Sequence, residues 1–275
     1  MLSKDISRHL KVRKVFAMNV DYRTDTGKRR HHNEDSIMID NKRGIFLLAD
    51  GMGGHQAGEV ASRMAVEVAY DHLVAMLKPG YSCADIFKYL TSALSKADHS
   101  IKISTKNNFS LMGMGTTLVM MVIMKSRAYI CHTGDSRAYL IRGDIRQITK
   151  DQTWGNYLVE HKKTPREKIP RQSWHILTQA VGVTNKITPE LKEVKLEQED
   201  ILLLCSDGLT DMLKDHEVEK IVRKYKGQYF NKTAFALVEA ANYRGGKDNI
   251  SVVLVKYKPS EAELECTICH GKSKV

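Results

Sequence analysis

No run of apolar residues in this chain approaches membrane-spanning length. Leu118–Met124 is among the longest, and Lys125 stops it, so no membrane partner is expected. The basic start, residues 1–14, has neither the apolar stretch nor the small-residue cleavage site of a secretory leader. Five cysteines, mostly scattered, give no disulfide framework and fit a reducing compartment. These absences point to the cytoplasm. No nucleic-acid motif is present and the lysines and arginines have no interleaved aromatics. A nucleic-acid partner is therefore not expected, despite a net charge of +11. A field that attracts phosphate-bearing partners and a functionally indifferent basic surface both account for that charge.

What is present is ordinary for a globular protein: 275 residues, 42% hydrophobic and 27% charged. One large domain with a substantial core is expected. Its centre is the stretch 44–59, GIFLLADGMGGHQAGE. An apolar run without helical spacing reads as a buried strand. It climbs to a single carboxylate, Asp50, and then breaks into glycines. The stretch 201–208, ILLLCSDG, repeats the design and ends on Asp207 and Gly208. A third acidic turn, Gly245-Gly246-Lys247-Asp248-Asn249, opens the apolar run from Ile250. Carboxylates beside exposed carbonyls are good ligands for hard cations. Three of them at strand ends point to a metal centre.

Around this centre, residues 15–22 read as a strand and 28–36 as a loop in which cations lead into Glu34 and Asp35. Arg30 there can clamp a phosphate through its planar fork, and the acidic pair can bind a metal or its waters. Helical spacing over 60–69 and 87–101 gives two amphipathic helices. Strands follow at 118–124, 128–132, 138–141 and 145–149, then at 191–196, 201–204 and 250–257. Helices are expected at 215–225 and 231–243, each opened by a local cap. Residues 152–181 are less regular and look like an inserted flap. Thr164-Pro165-Arg166-Glu167 reads as the capping-box start of a helix. Strands crowd the middle and helices flank it, which argues for an α+β sandwich rather than a doubly wound sheet.

The ordered set NEDS, ADGMGGHQAGEVAS, GMGTT, GDSRAY, CSDG and GGKDN resembles the bacterial metal-dependent serine/threonine protein phosphatases of the type 2C, or PPM, family. The resemblance implies a four-layer α-β-β-α sandwich of two antiparallel sheets flanked by helices. It implies hydrolysis of phosphoserine and phosphothreonine on proteins by metal-activated water, with two Mn²⁺ or Mg²⁺ ions and a looser third. Asp50 would bridge the two ions, with the carbonyl of Gly51 on one of them. Asp207 and Asp248 match the other direct ligands, Glu34 and Asp35 the acidic pair nearby, and Asp135 the third-metal carboxylate. Arg30 falls on the phosphate clamp. His55 is a candidate leaving-group acid, alongside a structural role for it or a metal-bound water in that duty. An opposing serine/threonine kinase is the implied regulatory partner. The implied divisions are a basic extension at 1–14, a catalytic domain at 15–258 with the flap at 152–181, and a polar tail at 259–275. The flap departs from the family at 169–176, IPRQSWHI, where Trp174 and His175 stand, and substrate choice is the property affected.

Three other readings compete. Cys131 to Arg137 fits the cysteine-phosphatase spacing, in which a low-pKa thiolate sits in an anion-cradling loop leading into a helix. Here a hairpin is expected to follow, and three strand-end aspartates would go unexplained. A binding-only pseudophosphatase would be expected to lack a metal carboxylate, and none is missing. The glycines at 51–58 miss the dinucleotide spacing. Cys266, Cys269 and His270 match a haem-attachment or half-zinc motif, in a tail expected to be loose and functionally silent.

Overall fold

The computed structural model describes residues 18–53, 57–77 and 82–259. Among these, eleven strands form two antiparallel sheets with helices packed on both outer faces, the four-layer sandwich that the resemblance implies. The six-stranded sheet holds β2 (Asp35–Asp40), β3 (Ile45–Met52), β5 (Leu118–Met124), β6 (Arg127–Thr133) and β9 (Glu190–Lys195) in that order. The two-residue β4 (Gly115–Thr116) pairs with the end of β3. The five-stranded sheet runs β1 (Asn19–Asp25), β11 (Ile250–Lys256), β10 (Ile201–Cys205), β7 (Arg137–Arg142), β8 (Asp144–Gln147).

The central strands read as unbroken apolar runs because each is covered on both faces. In β3, Ile45, Leu47 and Ala49 face α1 (Ala57–Met76) and α2 (Ile86–Asn107), while Phe46 and Leu48 face the opposite sheet. In β10, Leu202 and Leu204 enter the same inter-sheet core. Ile201, Leu203 and Cys205 instead meet the short α4 (Asp207–Thr210), α5 (Asp215–Tyr225) and α6 (Thr233–Tyr243). Three apolar layers result, and the loops at one end of both sheets are left to carry polar groups.

Local signals misplaced some elements. Asp35–Asp40 is a strand paired with β3, where residues 28–36 read as loop throughout. No capping box forms at Thr164. Pro165 precedes a single 3₁₀ turn, Arg166–Lys168, without a side-chain cap, since Pro170 pushes its predecessor out of helical geometry. The flap's one α-helix is α3, Trp154–His161, capped by Thr153. The helix expected from residue 231 begins at Thr233, and its free N–H at Ala234 is capped by Asp21 from β1 at 2.7 Å. The 1–14 extension, His55 and the Cys266–Cys269–His270 motif lie outside the described residues.

Candidate metal centre

Each sheet delivers carboxylates to the same end. Asp35 opens β2 and sits opposite Asp50 in the β2–β3 register. Asp207 follows β10 directly, Asp248 precedes β11, and Asp135 follows β6. Asp50, Asp135, Asp207 and Asp248 line one cleft of about 500 Å³ together with Arg30, Glu34 and Gly51. Asp35 is buried, next to Asp50 across the β2–β3 pair. All the predicted site residues among the described ones therefore meet in one place.

Backbone contacts hold the strand ends rigidly. The Asp50 amide donates to Thr117 Oγ1 at 2.9 Å, and its carbonyl accepts from the Thr117 amide and the Thr116 hydroxyl at 2.9 and 2.8 Å. A Cβ on Gly51 would stand 2.5 Å from the Glu34 carbonyl oxygen and 2.2 Å from that of Gly58. On Gly208 it would stand 2.0 Å from the Asn249 carbonyl. Only glycine lets these chain segments approach so closely beside Asp50 and Asp207. Asn249 staples the loop that carries Arg30 and Glu34. It donates to the Thr26 and His32 carbonyls at 3.0 and 2.9 Å and accepts the Glu34 amide at 2.8 Å. Arg30 reaches Asp248 at 2.7 Å.

The electrostatics of the cleft are those of a cation site. Burial raises the Asp50 carboxyl well above the ordinary range, and Asp35, Asp207, Asp135 and Asp248 raise it further. Asp207 is raised in the same way by burial and then by Asp135 and Asp211. Burial pushes Asp35 up to about 6, held back by the Ser251 and Ser206 hydroxyls. Burial and then Asp151 push Asp135 up to about 7, against the pull of Arg137. Like charges this close resist ionisation unless a cation joins them. Asp35 Oδ2 accepts from Ser206 at 2.8 Å, but Oδ1 has no hydrogen-bond partner among the described residues despite its burial. Hard oxygen donors in excess, raised carboxyls and an orphaned buried oxygen fit divalent cations well.

Two ionisable residues of this cleft were not anticipated as part of it. Asp211 and His175 both line it, and ligand atoms of His175, Asp207 and Asp211 lie within 4.8 Å of one another. Asp211 had a signal, the four-residue spacing from Asp207 that puts both on one helical face. His175 had none beyond its place in the flap's odd segment. That segment is fixed by Trp174, which packs on Gly155 where a Cβ would meet the indole at 2.7 Å. Arg166 lies over the same indole at 4.4 Å.

Residues 26–244 match the family described as Protein phosphatase 2C. The serine/threonine phosphatase stp of Listeria innocua is 36% identical over 249 residues, covering 87% of this chain and 96% of that one. Protein phosphatase PhpP of Streptococcus pneumoniae is 35% identical over 252 residues, 90% of this chain and all of PhpP. The chain belongs to the protein phosphatase 2C family. Among solved structures, the Mycobacterium tuberculosis serine/threonine phosphatase PstP/Ppp superposes with a TM-score of 0.78 at 34% identity, over 88% of this chain and 99% of that one. The PstP catalytic domain in complex with two manganese ions gives 0.74, also at 34% identity, over 87% and 97%. This chain is a metal-dependent protein phosphatase.

In this phosphatase the cysteine decoy fails on its own geometry. Cys131 is wholly buried in β6, facing α1 and α2, and burial pushes its thiol up to about 12. A nucleophilic cysteine needs the opposite shift. The loop after it leads into β7, a strand, and not into a helix. No helix among the described residues is long and apolar enough to cross a membrane.

Proposed function

We propose that this protein phosphatase hydrolyses phosphoserine and phosphothreonine on proteins, with Mn²⁺ or Mg²⁺ held by Asp50, Asp207 and Asp248. The observation that carries this reading is the convergence of carboxylates from both sheets on one cleft that also holds Arg30. There Asp50 would be the central ligand, with the Gly51 carbonyl as a further donor beside it. Glu34 and Asp35 would hold a metal or its waters, while Asp135 would take a looser third ion. Bound divalent cations supply charge neutralisation for the phosphate and acidify the attacking water. Arg30 grips the equatorial phosphate oxygens, the duty for which a planar guanidinium suits better than an ammonium. His55 is one proposed proton donor to the leaving alkoxide, and a metal-bound water is the other, His55 then being structural.

The proposed organisation is one catalytic domain over 15–258, with 152–181 as a flap at the cleft's edge, between a basic extension and a polar tail. The family match over 26–244 supports its body. The free thiols of Cys83, Cys131 and Cys205 support a cytoplasmic setting, and a serine/threonine kinase is the opposing partner.

Activity with and without metal tests the reading. Purified protein should turn over p-nitrophenyl phosphate and phosphothreonine peptides with Mn²⁺ and stop in excess EDTA. Asp50→Asn should cost most, about 10³-fold or more in kcat, since Asp50 would be the central ligand of the metal site. Full turnover in EDTA would overturn the metal mechanism. Silence with Mn²⁺, while phosphopeptides still bind, would favour a binding-only pseudophosphatase.

A further inference from the structure

The cleft has a second wall that the chemistry above leaves idle. Beside the carboxylates it is lined by Met52, Leu177, Ala180 and Val183. Ala180 is buried, but Val183 is 49% exposed. A lone exposed valine ordinarily calls for no explanation. This one differs because the turn that carries it is fastened from several directions.

Gly115 carries no side chain where Val183 rests. A Cβ there would meet Val183 Cγ2 at 2.5 Å and Met52 Cε at 2.9 Å. Val181 exchanges both backbone hydrogen bonds with Thr116, at 3.1 and 2.8 Å. The Gly182 amide donates to Asp98 Oδ1 at 2.8 Å. The Thr184 carbonyl accepts from Lys102 Nζ at 2.7 Å, and its hydroxyl accepts from the Ala180 amide at 2.8 Å. Asp98 and Lys102 belong to α2 and pair with each other at 2.8 Å. An aliphatic group is thus held at a fixed point of the cleft's edge, with half its surface in water. Preorganised apolar surface continuous with a reacting site is surface that substrate covers.

We propose that Val183, seated on Gly115 and Met52, is a specificity-determining residue that favours an aliphatic side chain next to the phosphorylated serine or threonine. The inference rests on the phosphatase reading above. The occupant follows from the cleft itself, since Arg30 and Val183 line one cavity. A peptide whose phosphate is gripped at Arg30 therefore brings residues beside the phosphoresidue into the cavity that this wall lines. Asp98 and Lys102 act as positioning residues, since they hold the turn and not the substrate.

Matched phosphothreonine peptides test this, with leucine or glutamine placed in turn just before and just after the phosphoresidue. With Mn²⁺, kcat/KM should favour leucine on one side by about three- to tenfold, the range for burying part of one aliphatic side chain. Val183→Thr keeps the shape and adds a hydroxyl, so it should fold, as its melting temperature will show. It should bring the leucine-to-glutamine ratio close to one, and because the ratio is taken within each enzyme, any change in overall turnover cancels. Val183→Ile should keep or raise the ratio. A parent enzyme indifferent to the flanking residue would overturn the proposal, as would a Val183→Thr variant that keeps the preference. Failure of the parent to hydrolyse p-nitrophenyl phosphate with Mn²⁺ would overturn the phosphatase reading as well, a separate and visible result.

Discussion

Asp135→Asn should make the protein more stable in EDTA, by an amount that grows with pH. Asp135 is 9% exposed, and its carboxyl is pushed from 3.8 up to about 7, first by burial and then by Asp151. Because the folded pKa lies above the unfolded one, the folded chain keeps a proton that the unfolded chain releases. The resulting stability is complete below about pH 4 and is lost as pH rises to about 7. At 1.36 kcal/mol per pKa unit, holding Asp135 ionised in the fold costs about 4 kcal/mol above pH 7 and less than half of that at pH 5. Asparagine carries no such charge, though its amide keeps a pH-independent desolvation cost. Comparing two pH values removes that constant. The gap between variant and parent should therefore widen by about 2–3 kcal/mol from pH 5 to pH 8. Urea unfolding in EDTA at both pH values, followed by the fluorescence of Trp154 and Trp174, measures it. With saturating Mn²⁺ at pH 8 the order should shrink or reverse, since cations that bind only the native parent stabilise it by mass action. A gap that does not change with pH would refute the electrostatic account of the cleft.

Other expectations follow from named contacts. Cys131→Ser should leave kcat within a few-fold of the parent and cost about 1–3 kcal/mol of stability, because it buries a hydroxyl among apolar groups. A folded but inactive Cys131→Ser would revive the thiolate mechanism. Arg30→Ala should act mainly on KM, tenfold or more with little change in kcat, if Arg30 binds phosphate equally in ground and transition states. A dominant loss of kcat would instead make it a transition-state contact. Gly208→Ala should destabilise the fold by over 2 kcal/mol and weaken Mn²⁺ binding in calorimetry, since its Cβ would meet the Asn249 carbonyl at 2.0 Å. Parent-like melting and affinity would show that this turn yields more easily than its contacts imply.

The strand-end aspartates were legible in one dimension because burial on both faces writes a signature that survives there. A strand covered on both sides must be apolar throughout, so the first carboxylate after 45–49 or 201–205 marks where the core ends and chemistry begins. Helix faces on α1 and α2 were legible for the same reason, their spacing being set by what they cover. Strand β2 was not, because Asp35, Ser36 and Asp40 spend their polarity on partners far along the chain: Ser206, Ser62 and the Tyr70 hydroxyl. Such side chains look like loop until those partners are in place. The cap on α6 from Asp21 was hidden likewise, 213 residues away. That Asp50 and Asp207 share a cleft was set by two sheets packing with their carboxylate-bearing ends aligned. Only that packing pushes their pKa values up together, brings His175 alongside Asp207 and Asp211, and fixes Val183 on Gly115. Local sequence sets which residues can carry charge or cover a core. The mutual repulsion that makes a cation site, and the wall beside it, arise from distances that only the folded chain sets.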